Sequence, residues 1–241
     1  MVYALIFAGG TGQRMNSKSI PKQFLLVHGK EVIIHTIDLF EKNKNVDKIF
    51  VVCYEPYIGK LKELLKQNNI NKVQDICGGG ATGPESIFRG LKMIKDYSSS
   101  DDDIVLIHDG VRPLITQDVI DANIESVKKY GNGITVSPAI ETVVKINGNE
   151  IEEVFDRNYC SYAKAPQSFK VKEIFDIYQK SFAENKSFID SASVAQHYGV
   201  KLHLVEGPIQ NIKITTQLDL YTFKAILDAR EANQLKEELF K

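Results

Sequence analysis

The chain has 241 residues, enough to bury a substantial core in one large α/β domain or a domain with a small appendage. Hydrophobic residues make up 43% and charged residues 25%, ordinary values for a soluble globular protein. The formal net charge of -1, from 30 basic and 31 acidic side chains, excludes the basic excess of a nucleic-acid-binding protein, so any phosphate chemistry must come from a local cationic cluster.

Residues 2–7 predict a buried strand and 8–23 a glycine-containing loop. Helical spacing of Val32, Ile33, Thr36, Ile37 and Phe40 predicts a helix over 31–42, followed by a strand at 48–54 and a helix at 57–68. A strand at 73–77 closes on Gly78, Gly79 and Gly80. A helix over 84–95 carries Pro84 near its first turn, where the missing N–H costs little. A strand at 103–108, a helix at 117–129 and a strand at 133–137 complete the alternation.

This order predicts a doubly wound, mainly parallel Rossmann-like sheet with right-handed connections. Ligands in such sheets sit beyond the carboxyl ends of the strands, so the loops at 8–23, 78–86 and 108–113 share one cleft. Beyond residue 140 the pattern changes. Two short strands, 142–146 and 150–155, flank Asn147-Gly148, a tight-hairpin signal, and predict a protruding β-arm over 141–155. Helices at 171–183 and 190–198, strands at 201–205 and 211–215, and a closing helix from about Leu218 follow.

Cys53, Cys77 and Cys160 are far apart and lack metal-ligand spacing, which reads as free thiols in a reducing cytosol. No apolar run approaches the ~18 residues of a membrane helix, and the first residues lack the features of a signal peptide. A cytoplasmic protein with neither membrane nor nucleic-acid partner is expected.

Three segments carry candidate chemistry. AGGTGQRM (8–15) followed by PKQF (21–24) places Ala8, Gly9, Gly10 and Gly12 where backbone N–H groups can approach phosphates, with the cations Arg14 and Lys22 beside them. A dinucleotide fingerprint fails because Met15 occupies the third glycine position, and a P-loop fails because Gly29-Lys30 is followed by Glu31. What remains suits a triphosphate with a pyrophosphate leaving group, or a tight turn with two solvated cations. HDGVRP (108–113) ends the most apolar strand. Asp109 there is placed to hold Mg²⁺ against a triphosphate, or forms a turn with Arg112 neutralising it. NIKIT (211–215) sets Lys213 within a short apolar strand, which needs an anionic partner or an edge position.

Together with the Gly79–Ser86 loop, Asp156-Arg157, PQSF (166–169) and VEG (205–207), these segments resemble the cytidylyltransferases acting on 2-C-methyl-D-erythritol 4-phosphate and their relatives acting on ribitol 5-phosphate. The resemblance runs along nearly the whole chain. It implies one nucleotidyltransferase domain over 1–241 with the arm at about 141–156. It implies that Arg14, Lys22 and Lys213 act on the reacting phosphates, that Asp109 holds Mg²⁺, and that Gly79, Gly80 and Ser86 line the cytosine and ribose pocket. Arg112, Thr142, Arg157 and Asp190 would approach the acceptor, with the arm reaching into a partner subunit of a homodimer. The chain departs from the pattern at Gly83, where many members carry arginine, at Ala165 and at Ile189. The expected reaction is transfer of CMP from CTP to a small polyol phosphate. The first choice is ribitol 5-phosphate or a similar alditol phosphate, the second is methylerythritol 4-phosphate, and a non-catalytic nucleotide-binding subunit is the remaining alternative.

Overall fold

The computed structural model describes residues 1–10 and 20–239. The first half comprises β1 (Val2–Ala8), a short ribbon of β2 (Leu26–Val27) and β3 (Lys30–Glu31), α1 (Val32–Lys42), β4 (Lys48–Cys53), α2 (Ile58–Gln67) and β5 (Val73–Gly78). Then come α3 (Gly83–Tyr97), β6 (Ile104–Asp109), α4 (Gln117–Tyr130), β7 (Asn132–Pro138), β8 (Val143–Asn147) and β9 (Glu150–Phe155). The chain continues through β10 (Ser161–Lys170), α5 (Val171–Ala183), α6 (Ser191–His197), β11 (Leu204–Glu206) and α7 (Gln217–Leu239).

Seven strands form the central sheet in the order β5-β4-β1-β6-β10-β7-β11. The strands β5, β4, β1 and β6 are parallel, β10 runs antiparallel to both its neighbours, and β11 is parallel to β7. The apolar runs explain the centre of this order. A strand covered on both faces reads as a continuous hydrophobic stretch, and IVLIHD of β6 is buried at every position. Alternate residues of β1 serve opposite faces. Ala4 and Ile6 pack with Ile37, Phe40 and Ile124 on one side, whereas Tyr3 and Leu5 pack with Leu91, Ile94 and Tyr178 on the other. A smaller cluster of Val27, Val111, Leu114, Ile214 and Phe223 fastens α7 to the loops after β6 and before α7.

Three expectations change. Residues 161–170, where the sequence predicts no element, form the long strand β10, inserted between β6 and β7. Residues 211–215 do not form a strand, because their backbone bonds to a loop instead of a ladder: Ile214 N donates to Val111 O at 2.9 Å. The strand expected at 201–205 is Leu204–Glu206. The arm does form. Among the described residues the strands β8 and β9 pair only with each other around Gly148 at φ +60°, and Ile146, Ile151 and Val154 are 68%, 62% and 61% exposed. Among the described residues no helix is long and apolar enough to cross a membrane. The three cysteines are free, and burial pushes the Cys53 thiol up to about 12.

The packing of α3 on the sheet depends on Gly90. A Cβ there would stand 2.8 Å from Val52 Cγ2 and closer still to Leu5 Cδ1, and both of those side chains are fully buried. Gly90→Ala should therefore lower the unfolding free energy by about 1–3 kcal/mol through overpacking, despite alanine's better helix propensity. Urea denaturation checks this, and an unchanged or raised midpoint would show that the helix shifts freely on the sheet.

Candidate active site

The carboxyl ends of β1, β5 and β6 lie along one edge of the sheet, where doubly wound proteins bind ligands. After β1, the glycine loop is fastened from below. Gln23, only 1% exposed in the turn Lys22–Phe24, donates from Nε2 to Ala8 O at 2.7 Å and to Gly10 O at 3.0 Å. This sets Lys22 beside Gly9 and Gly10 on one cavity wall. Arg14 and Gly12 lie outside the described residues.

The loop from β5 to α3 closes against the glycine turn. A Cβ on Gly79 would lie 2.7 Å from Gly9 Cα, and one on Gly9 would lie 2.8 Å from Gly79 Cα, so the two backbones touch only as glycines. Thr82 caps α3 by accepting from Glu85 N. Ser86 Oγ accepts from Gly80 N at 3.0 Å and donates to Thr82 O at 2.9 Å, so the hydroxyl braces the loop as well as facing the cavity. The positive end of the α3 dipole thus stands at a wall suited to anions.

At the end of β6, Asp109 is 6% exposed and held between two cations: Arg112 Nε donates to Oδ2 at 2.8 Å and Lys213 Nζ pairs with Oδ1 at 2.5 Å. Burial pushes this carboxyl up, but Lys213 and Arg112 outweigh it and hold it at about 2. Arg112 Nη1 also donates to Asn211 O at 2.9 Å. Lys213 therefore owes its place to an extended loop bonded to the segment 110–113, not to a strand. His108 is fully buried and burial pushes it down to about 4. The neutral ring donates from Nε2 to Arg112 O at 3.1 Å, a packing role.

The strand β10 and the start of α6 supply the other side. Gln167 donates from Nε2 to Asp190 Oδ2 at 2.8 Å and accepts from Ala192 N at 2.8 Å, while Asp190 Oδ1 accepts from Ser193 N at 2.8 Å as the cap of α6. Asn211 Nδ2 donates to Ala165 O at 2.7 Å, tying the Lys213 loop to β10.

Two lobes of about 250 Å³ each result, and both are lined by Phe7, Gly83, Asp109 and Lys213. One holds Ala8, Gly9, Gly10, Lys22, Gly80 and Ser86; the other holds Arg112, Lys164, Gln167 and Asp190, together with Ala165 and Ile189. The three departures Gly83, Ala165 and Ile189 thus all face the second lobe. Thr142 and Arg157 line neither lobe; both are exposed near the base of the arm, where Arg157 Nη1 donates to Ile140 O at 3.1 Å. The sequence reading missed Gln23, Gln167 and Lys164. The glutamines lay inside PKQF and PQSF, yet only their burial reveals that they fasten the site.

Among the described residues no three His, Cys, Asp or Glu side chains group as a metal cage. A single ionised carboxylate where the lobes meet fits a Mg²⁺ held mainly by substrate phosphates and water, the usual manner of that ion.

A two-lobed cleft with an anion-binding wall and a carboxylate flanked by cations at the junction is the arrangement of a nucleotidyltransferase, which must hold a nucleoside triphosphate against an acceptor. Residues 2–229 match the family described as IspD, 2-C-methyl-D-erythritol 4-phosphate cytidylyltransferase, and the chain belongs to that family of CTP-dependent nucleotidyltransferases. The chain is 47% identical over 98% of its length to a ribitol-5-phosphate cytidylyltransferase of Streptococcus agalactiae, covering 99% of that protein. It is 46% identical to one from Vibrio parahaemolyticus, with 98% and 99% of the two chains covered. The crystal structure of the 4-diphosphocytidyl-2C-methyl-D-erythritol synthase from Anaerococcus prevotii superposes with a TM-score of 0.81 at 28% identity, over 94% of this chain and 96% of that one.

Asp109→Asn keeps the shape of the side chain and removes the counter-charge of Arg112, whose side chain is 12% exposed. Unfolding free energy should fall by about 1–3 kcal/mol, a value discounted because Lys213 is 41% exposed and gains solvent. Thermal denaturation at neutral pH checks this; an unchanged midpoint would mean that the cluster contributes nothing to the fold.

Proposed function

We propose that the protein transfers CMP from CTP to ribitol 5-phosphate or a closely similar alditol phosphate, yielding a CDP-alditol and pyrophosphate. The single observation that carries this reading is the pair of lobes that share Asp109 and Lys213. CTP occupies the lobe of Gly9, Gly10, Gly80 and Ser86, whose small residues leave room for a pyrimidine and let backbone groups meet its edge. The acceptor occupies the lobe of Arg112, Gln167 and Asp190. The choice of alditol rests on the near full-length likeness to the ribitol-5-phosphate enzymes.

An oxygen of the acceptor phosphate attacks the α-phosphorus of CTP, and the bond to the β-phosphate bridging oxygen breaks in line. The nucleophile is already an anion at neutral pH, so no general base is required, in keeping with a neutral, buried His108. Lys213 neutralises charge between the two substrates, while Arg14 and Lys22 draw on the departing pyrophosphate. Asp109 would hold Mg²⁺, which when bound offsets the negative charge of the triphosphate. Catalysis is then positioning plus charge stabilisation.

The protein works in the cytoplasm as a homodimer built through the arm. A two-stranded hairpin is marginal in water, and exposed Ile146, Ile151 and Val154 call for burial against a second copy. Dimerisation carries Thr142 and Arg157 to the partner's acceptor lobe.

Two measurements test the proposal. Pyrophosphate release from CTP and Mg²⁺ with a panel of polyol phosphates should be fastest with ribitol 5-phosphate, and CTP should exceed ATP by about tenfold or more in kcat/KM. A preference for methylerythritol 4-phosphate would reassign the acceptor, and equal use of ATP would remove the cytidine site. For the arm, Arg157→Ala and Arg14→Ala chains, each nearly inactive alone, should recover toward about a quarter of wild-type activity when mixed equally, because half of randomly paired dimers carry one intact site. No recovery after confirmed subunit exchange would put Arg157 in its own chain's site or in none.

A further inference from the structure

The acceptor lobe contains a third cation. Lys164 stands on β10 where the register with β7 shifts between Ala163 and Gln167, beyond the last pair with β6, Gln167 with Ile107. The bulge frees residues 164–166 from the β7 ladder and sets Lys164 in the wall of the lobe. Its ammonium donates to Ile209 O at 2.8 Å. An ammonium has three donors, so two remain, and among the described residues it forms no ion pair.

The carboxylates around it have other partners. Asp109 pairs with Arg112 and Lys213. Asp190 is taken by Gln167 and by the N-terminus of α6. The lobe therefore presents Arg112, Lys164 and Lys213 against two engaged carboxylates, an excess that a phosphate would balance.

We propose that Lys164, placed in the lobe wall by the β10 bulge and with one donor fixed on Ile209 O, binds the phosphate group of the acceptor. Burial, and next the nearby Arg112 charge, lower its pKa below that of an ordinary lysine, and a bound dianion would relieve both effects. The proposal rests on the second lobe being the acceptor site.

The test is steady-state kinetics of Lys164→Met and Lys164→Arg, using whichever polyol phosphate the wild-type enzyme turns over fastest, so that a wrong choice of alditol does not count against Lys164. In Lys164→Met the KM for the acceptor should rise about tenfold or more, the scale of losing one charge-assisted hydrogen bond, with KM for CTP within about twofold. Lys164→Arg should recover most of the loss. Inorganic phosphate competing against the acceptor should inhibit Lys164→Met about tenfold less well than wild type, while competition by the unphosphorylated alditol stays the same. An unchanged acceptor KM would overturn the proposal. So would an equal rise in KM for CTP, or weakened binding of the free alditol without weakened binding of phosphate. Should Lys164→Met fail to fold, Lys164→Gln carries the same comparisons.

Discussion

A buried carboxylate with two cations on it organises this molecule. Asp109 ends the most deeply buried strand, where an isolated charge would be costly, and the cost is met by Arg112 three residues on and Lys213 a hundred residues away. The pairing brings the end of the sheet and the loop before α7 to one point. The bond of the Arg112 side chain to Asn211 O and the backbone bond of Ile214 N to Val111 O repeat that link, and Ile214 and Phe223 bury apolar surface behind it. A site with such short supports holds its charges in place before substrate arrives, which is what phosphoryl chemistry without a general base demands.

The same economy governs both lobes. In the lobe of Gly9, Gly10 and Gly80, Gln23 Nε2 and Ser86 Oγ bond to the loop backbones and hold the glycines in place. In the lobe of Arg112 and Lys164, Gln167 and Asp190 join β10 to α6, and Asn211 joins β10 to the Lys213 loop. The one antiparallel strand of the sheet is therefore the element that builds the second lobe.

Legibility in the sequence followed burial. The strands β1, β4 and β6 are covered on both faces and read as apolar runs, so the sequence alone assigns their loops to one edge. The arm was legible from Asn147-Gly148 between two short strands. The strand β10 was not, because SYAKAPQSFK carries two lysines, a proline and two serines, and its inner half is buried through hydrogen-bonded polar side chains such as Gln167 and Ser168. Residues 211–215 misled in the opposite sense: their apolar alternation reflects packing of Ile214 against Val111 and Phe223, not a ladder. Lys164 gave no signal between two alanines, since its place depends on a register shift that only the paired strands define.

We propose that two substrates in separate lobes meet at Asp109 and Lys213, and a crystal structure with the product CDP-ribitol bound tests this. The cytidine is expected between Gly10, Gly80 and Ser86, the ribitol beside Arg112 and Gln167, and the diphosphate bridge across the junction within contact of Lys213. Cytidine and ribitol lying in one lobe, or a diphosphate remote from both Asp109 and Lys213, would contradict it.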